Sequence, residues 1–193
     1  MRVGIIGDSQ SVGLVRLGGL RALLEQRGDT ITGTMLITGM GLASMRADPD
    51  WVSRARAVAR GADVLIVILG GNNAAGRARY RELLDWFFSN VVRTKQKVLW
   101  VGPANSPRVP YHLETRKFQR AYFASSRVKW IDAWAMTTGL PGDGIHFNRE
   151  GYTTWARRLV PELGFMAWGT VIGLGLVSAA IGVFLVARRR RHR

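Results

Sequence analysis

The apolar positions of this chain come in two rhythms. Short apolar-rich stretches occur at Val3–Gly7, Thr30–Ile37, Val64–Leu69, Lys97–Val101 and Val128–Ile131, and each reads as a strand. Between them lie stretches with helical spacing. Val12, Leu14, Val15, Leu17, Leu20, Leu23 and Leu24 fall on one stripe after the first strand. Asp48-Pro49 has the form of an N-cap with Pro at the first helical position, opening a helix to about Arg60. Further helices are expected over Arg79–Val92, Leu113–Ser125 and from an Asn148 cap to about Val160. Gly102–Pro110, with Pro103, Pro107 and Pro110, reads as a loop. Val64–Leu69, apolar throughout, suits the centre of a parallel sheet.

Strands alternating with helices imply a parallel sheet covered on both faces, and such sheets place their sites outside the carboxyl ends of the strands. Gly7-Asp8-Ser9, Gly39–Gly41, Gly70–Asn73 and the loop beyond Ile131 all leave strands at that edge. The convergence of these polar and glycine-rich loops carries more weight than any one of them.

The last apolar stretch is different. Phe165–Ala187 is free of charge and long enough to cross a bilayer, with Trp168 near one end and arginines at the other. It reads as a transmembrane helix. The chain then divides into an α/β domain over 1–161, a span over 165–187 and an Arg-rich tail over 188–193. Gly169 and Gly173, with Ser178 and Gly182 repeating the spacing, form a candidate helix-pairing face. The N-terminal residues read as strand, not as an export signal. The arginine tail favours a cytoplasmic C-terminus, which would set the α/β domain outside. The side of that domain stays open between a cell envelope, the interior and a virion membrane.

Composition adds three constraints. Of 193 residues, 47% are apolar and 21% charged, enough to fold around one core. There is no cysteine, which excludes disulfides, thiolate metal sites and a Cys nucleophile. The net charge is +15, and without the five tail arginines 23 basic residues still face 13 acidic ones. Such a surplus attracts anionic lipid, acidic polymers or nucleic acid, or is a solvated surface.

The candidate chemistry sits in the converging loops. A serine at a strand-to-helix turn displays its hydroxyl where helix N–H groups favour negative charge, although Asp8-Ser9 taken alone is better read as an N-cap. A hydroxyl nucleophile needs a base, and the base an orienting carboxylate. His146 has Asp143 three residues before it, so one turn can bring the carboxylate to the ring while the other nitrogen faces Ser9. His192 lies in the tail, and His112 reads as a loop or surface histidine. Asn72, after two glycines, could donate to an oxyanion, as could the backbone N–H groups of Ser9 and Gly41. Each of these loop residues is also an ordinary turn former. Trp134 and Tyr111 are candidates for a pocket lining, with core packing favoured for Trp134. No phosphate-loop, dinucleotide or zinc spacing is present.

Taken in order, Gly7-Asp8-Ser9-Gln10, a glycine near Gly41, Gly70-Gly71-Asn72-Asn73 and Asp143-Gly144-Ile145-His146-Phe147 resemble the sequence blocks of the GDSL or SGNH hydrolases over about residues 1–160. The resemblance implies a flavodoxin-like three-layer α/β/α sandwich with a mainly parallel five-stranded sheet. It also implies ester hydrolysis without metal or cofactor. It assigns Ser9 as nucleophile, His146 as base then acid, Asp143 as orienter, and Ser9, Gly41 and Asn72 as the oxyanion hole, with Gly39 a substitute for Gly41. Gln10 stands where the family usually has Leu, and Asn73 where it often has Asp. The expected substrates are small acyl esters, O-acetyl groups of envelope glycans among them, with lysophospholipid as an alternative. The rival reading is a non-catalytic basic membrane protein that binds nucleic acid or anionic polymer, with Arg77, Arg79 and Arg81 as its support. Nucleic acid ranks below an acyl ester and membrane lipid as partner.

Overall fold

Five parallel strands form the sheet, in the order β2-β1-β3-β4-β5, where β1 is Arg2–Gly7, β2 Thr30–Leu36, β3 Val64–Ile68, β4 Lys97–Val101 and β5 Lys129–Ile131. The computed structural model describes residues 1–72 and 77–164. The apolar run of β3 takes the central place, and all five of its residues are buried. Helices cover both faces, as a parallel sheet requires. Within this unit the helices are α1 Ser9–Arg16, α2 Leu20–Gln26, α3 Leu42–Ala47, α4 Pro49–Gly61, α5 Arg77–Asn90, α6 Tyr111–Phe123, α7 Ala133–Thr137 and α8 Arg149–Glu162.

The pleat sends alternate residues of each strand to opposite faces. Ile6, Leu65, Val67, Val98 and Trp100 pack with Met45 of α3, Val58 of α4, Leu84 and Phe87 of α5 and Phe123 of α6 in one continuous core. On this side Phe87 meets the Trp100 ring edge-on at 5.7 Å. The other layer is built from α1, α2, α7 and α8, which pack on one another. There Phe147, Tyr152 and Trp155 form an aromatic cluster. The fold is the three-layer sandwich with flavodoxin-like strand order.

Three expectations need correction. The stripe from Val12 to Leu24 is two helices and not one: Gly19 is left-handed at φ 70° and breaks it, and Leu17 is left 38% exposed. Two short helices were not expected: α3 follows directly on the Gly39–Gly41 loop, and α7 replaces the start of what read as loop beyond Ile131. The last helix runs through Pro161 to Glu162. Met1–Glu162 forms one compact unit. No helix among the described residues is long and apolar enough to cross a membrane. The proposed span over 165–187, its Gly169/Gly173 and Ser178/Gly182 faces, the arginine tail and Asn73 lie outside the described residues.

Candidate active site

Strand β1 ends at Gly7, and the chain turns straight into α1. Asp8 is the N-cap: its carboxylate accepts the N–H of Gln10 at 2.9 Å, while its own N–H donates to Ile68 O at 3.1 Å and ties the turn to β3. Ser9 is thereby the first residue of α1, at the carboxyl edge of the sheet beside its two central strands. Its N–H is one of the four that no helical carbonyl can accept.

The partner of Ser9 arrives from far along the chain. His146 Nε2 lies 2.9 Å from Ser9 Oγ across 137 positions of sequence. The segment that bears it closes on itself. Asp143 Oδ1 accepts the N–H groups of Ile145 and His146 at 2.8 and 2.7 Å, and Asp143 N–H donates to His146 O at 3.0 Å. Those two backbone donors, with the imidazole and Arg108 adding to them, hold the Asp143 carboxyl below the usual carboxylate range. Its Oδ2 stands 4.0 Å from His146 Nδ1, an ion-pair distance beyond hydrogen-bond reach. The three residues therefore converge in the expected order, with the Ser–His contact made and the His–Asp contact long. Free active sites commonly show such loose contacts, which tighten when substrate binds.

Two of the three expected oxyanion donors, Asn72 and Gly41, are engaged with the protein itself. Asn72 Nδ2 donates to Met40 O at 3.1 Å and more weakly to Asp8 Oδ2 at 3.4 Å. Gly41 N–H donates to Ser44 Oγ at 2.9 Å as α3 begins. Gly39, the alternative to Gly41, adopts a left-handed φ of 78°.

Behind Ser9 lies a buried polar layer, formed by Asp8 and His112, that the sequence did not announce as buried. Asp8 is 2% exposed, and burial pushes its carboxyl up to about 7 against the backbone donors of Gln10 and Gly71. His112, expected at the surface, is the second residue of α6 and only 3% exposed. Its ring nitrogens face Ala104 O at 3.1 Å and Gly71 O at 3.0 Å. Burial lowers its basicity more than those carbonyls raise it. Gly71 is wedged between these groups: a Cβ there would stand 3.1 Å from His112 Nε2 and 3.3 Å from Asp8 Oδ2. His112 thus braces the turn that carries Asn72. Its place after the Pro-rich loop pointed to the surface and carried no signal of burial. Trp134 is half-buried with the Arg116 guanidinium over its ring at 5.7 Å, and Tyr111 is 37% exposed.

Gln10 is the other residue whose part the sequence concealed. It is 7% exposed, donates from Nε2 to Ile145 O at 2.7 Å and accepts the Tyr152 hydroxyl at 3.0 Å.

Against known proteins, no family model matches the sequence, and no curated protein matches it. Solved structures do match. The aryl esterase of M. smegmatis is 16% identical, with a TM-score of 0.65 over 84% of this chain and 97% of its own. Est24, a carbohydrate acetylesterase from Sinorhizobium meliloti, is 16% identical with a TM-score of 0.64 over 84% and 97%. A member of the lipolytic G-D-S-L family from Veillonella parvula is 16% identical with a TM-score of 0.64 over 83% and 97%. At this identity the likeness is one of fold, and the fold that the GDSL or SGNH resemblance implied is the fold this chain adopts.

Proposed function

We propose that this protein is a serine ester hydrolase anchored in a membrane by residues 165–187. The observation that carries the reading is the 2.9 Å contact between Ser9 Oγ and His146 Nε2 at the carboxyl edge of the sheet. The fold shared with esterases of several substrate classes supports it.

His146 takes the hydroxyl proton as Ser9 Oγ attacks the ester carbonyl, and Asp143 steadies the imidazolium that forms. The negative oxygen of the tetrahedral intermediate is held by the Ser9 N–H, by Asn72 and by the N–H of Gly41 or Gly39. The long Asn72–Asp8 bond is the one an oxyanion would displace, and Gly41 would have to release Ser44. His146 then protonates the leaving alcohol. Water, activated by the same imidazole, hydrolyses the acyl-enzyme and restores Ser9.

Small acyl esters, including O-acetyl groups on envelope glycans, are the substrate class we favour. Est24 acts on carbohydrate acetyl esters within the same fold, and a basic surface suits an acidic polymer. The test uses the full chain in detergent micelles with p-nitrophenyl acetate. Ser9→Ala and His146→Ala are each expected to lower kcat by at least about 10³-fold. Variants as active as the parent protein would reject the assignment.

A further inference from the structure

Gln10 follows the nucleophile directly, and Ile145 directly precedes the histidine. The two are joined. Gln10 Nε2 donates to Ile145 O at 2.7 Å, and the same carbonyl accepts Ser106 Oγ at 3.1 Å. A carbonyl oxygen only accepts, so the amide must turn its NH₂ toward Ile145 and its oxygen toward Tyr152. The Tyr152 hydroxyl meets that oxygen at 3.0 Å and holds the amide in this orientation. All of this occurs where Gln10 is 7% and Tyr152 2% exposed, so water does not compete freely for the bonds.

The turn that Gln10 grips is closed internally by Asp143, as described above. The segment before α6 also holds it, through Arg108 N–H to Gly144 O at 3.0 Å, Arg108 Nη1 to Asp143 O at 3.4 Å, and Ser106. From α1 come the Ser9–His146 contact itself and, one residue on, the Gln10 bond to the backbone of the turn. A leucine at this position could fill the space but could not make either bond.

We infer that Gln10 is a positioning residue: its buried amide clamps the turn bearing Asp143 and His146 onto the helix bearing Ser9, and so fixes the imidazole against the hydroxyl. The catalytic consequence rests on the proposed Ser9–His146 chemistry; the clamp itself does not. A displacement of about 1 Å between reacting groups costs on the order of 10²-fold in rate, so a single well-held carbonyl matters.

The test compares the full chain with Gln10→Met, which keeps length and loses both bonds, and with Tyr152→Phe, which keeps the ring and frees the amide. Amide hydrogen exchange is read at Ile145 and His146, whose N–H groups bond to Asp143, and in β3 as an internal control. Turnover of p-nitrophenyl acetate gives kcat and KM. In Gln10→Met, exchange at 145 and 146 should rise about tenfold with β3 unchanged. Its kcat should fall about 10- to 100-fold with KM within about threefold. Tyr152→Phe should move both readouts the same way by less. Exchange at 145 and 146 equal to that of the parent, or kcat within twofold of it, overturns the clamp. A general loss of stability would raise exchange in β3 as well, and that also counts against it. If Gln10→Met does not fold, Tyr152→Phe decides by the same criteria. A parent chain without turnover whose exchange still responds locally would reject the hydrolase and keep the clamp. An active parent matched by both variants would do the reverse.

Discussion

Asp8 shows how a single residue type can take different work from its surroundings. In sequence it is the middle of a Gly-Asp-Ser triplet and an evident cap. In the fold it is a buried carboxyl facing the backbone of Gln10 and Gly71 and the Asn72 amide, with burial raising its pKa to about 7. The sign of the consequence follows from linkage. The unfolded chain releases this proton near pH 4 and the native state near pH 7. Within that window the native state binds the additional proton, so its contribution to stability is full below about pH 4 and is lost as pH rises through about 7. Urea midpoints from pH 4 to 8 should show the parent chain losing stability relative to Asp8→Asn across this window, with parallel curves above it. The meeting of Ser9 and His146 was legible because both were read into loops that gather at the carboxyl edge of the sheet. His112 was not, because its burial depends on the loops after β3 and β4 closing over the start of α6, and no local pattern encodes that.

At the scale of elements, the contact that brings the two halves of the site together is α1 against α8. Gly13 makes it possible. A Cβ on Gly13 would lie 2.0 Å from Tyr152 Cζ, inside the ring that orients Gln10. Gly13→Ala should therefore overpack the interface and destabilise the fold by about 1–3 kcal/mol, measurable by denaturant titration. It should also weaken the Gln10–Ile145 bond, because Tyr152 must move. The strands could be read directly: buried parallel strands are nearly pure apolar runs, and β3 is the clearest of them. Helices α3 and α7, six and five residues long, are too short to establish a 3.6-residue period. The break between α1 and α2 was hidden for the opposite reason. Leucines continue the stripe through Leu17 and Leu20, while the backbone turns at Gly18-Gly19.

For the whole molecule, the order β2-β1-β3-β4-β5 sets the Ser9 turn beside the β3 loop and leaves the space above that edge to the segment between α7 and α8. The uncharged stretch 165–187 and the arginines after it suit a domain held at a lipid surface, which would raise the local concentration of any envelope substrate. A chain truncated after Glu162 should partition into the soluble fraction. The full chain should resist extraction at high pH and high salt. Recovery of the full chain in an alkaline wash would refute the anchor.

The sequence by itself determined the α/β alternation, the central strand, the edge at which the loops gather, and the residue types with the spacing for nucleophile, base and carboxylate. These are local properties, written in apolar periodicity and in which side chains can exchange a proton. The tertiary structure decided what required distance: that Ser9 and His146 come within 2.9 Å, that Asp143 stays 4.0 Å from the ring, that Asp8 and His112 are buried, and that the Gln10 amide bonds to Ile145 O and the Tyr152 hydroxyl. Burial and long-range hydrogen bonds depend on which surfaces meet, and the pattern along the chain records only which surfaces are available to meet.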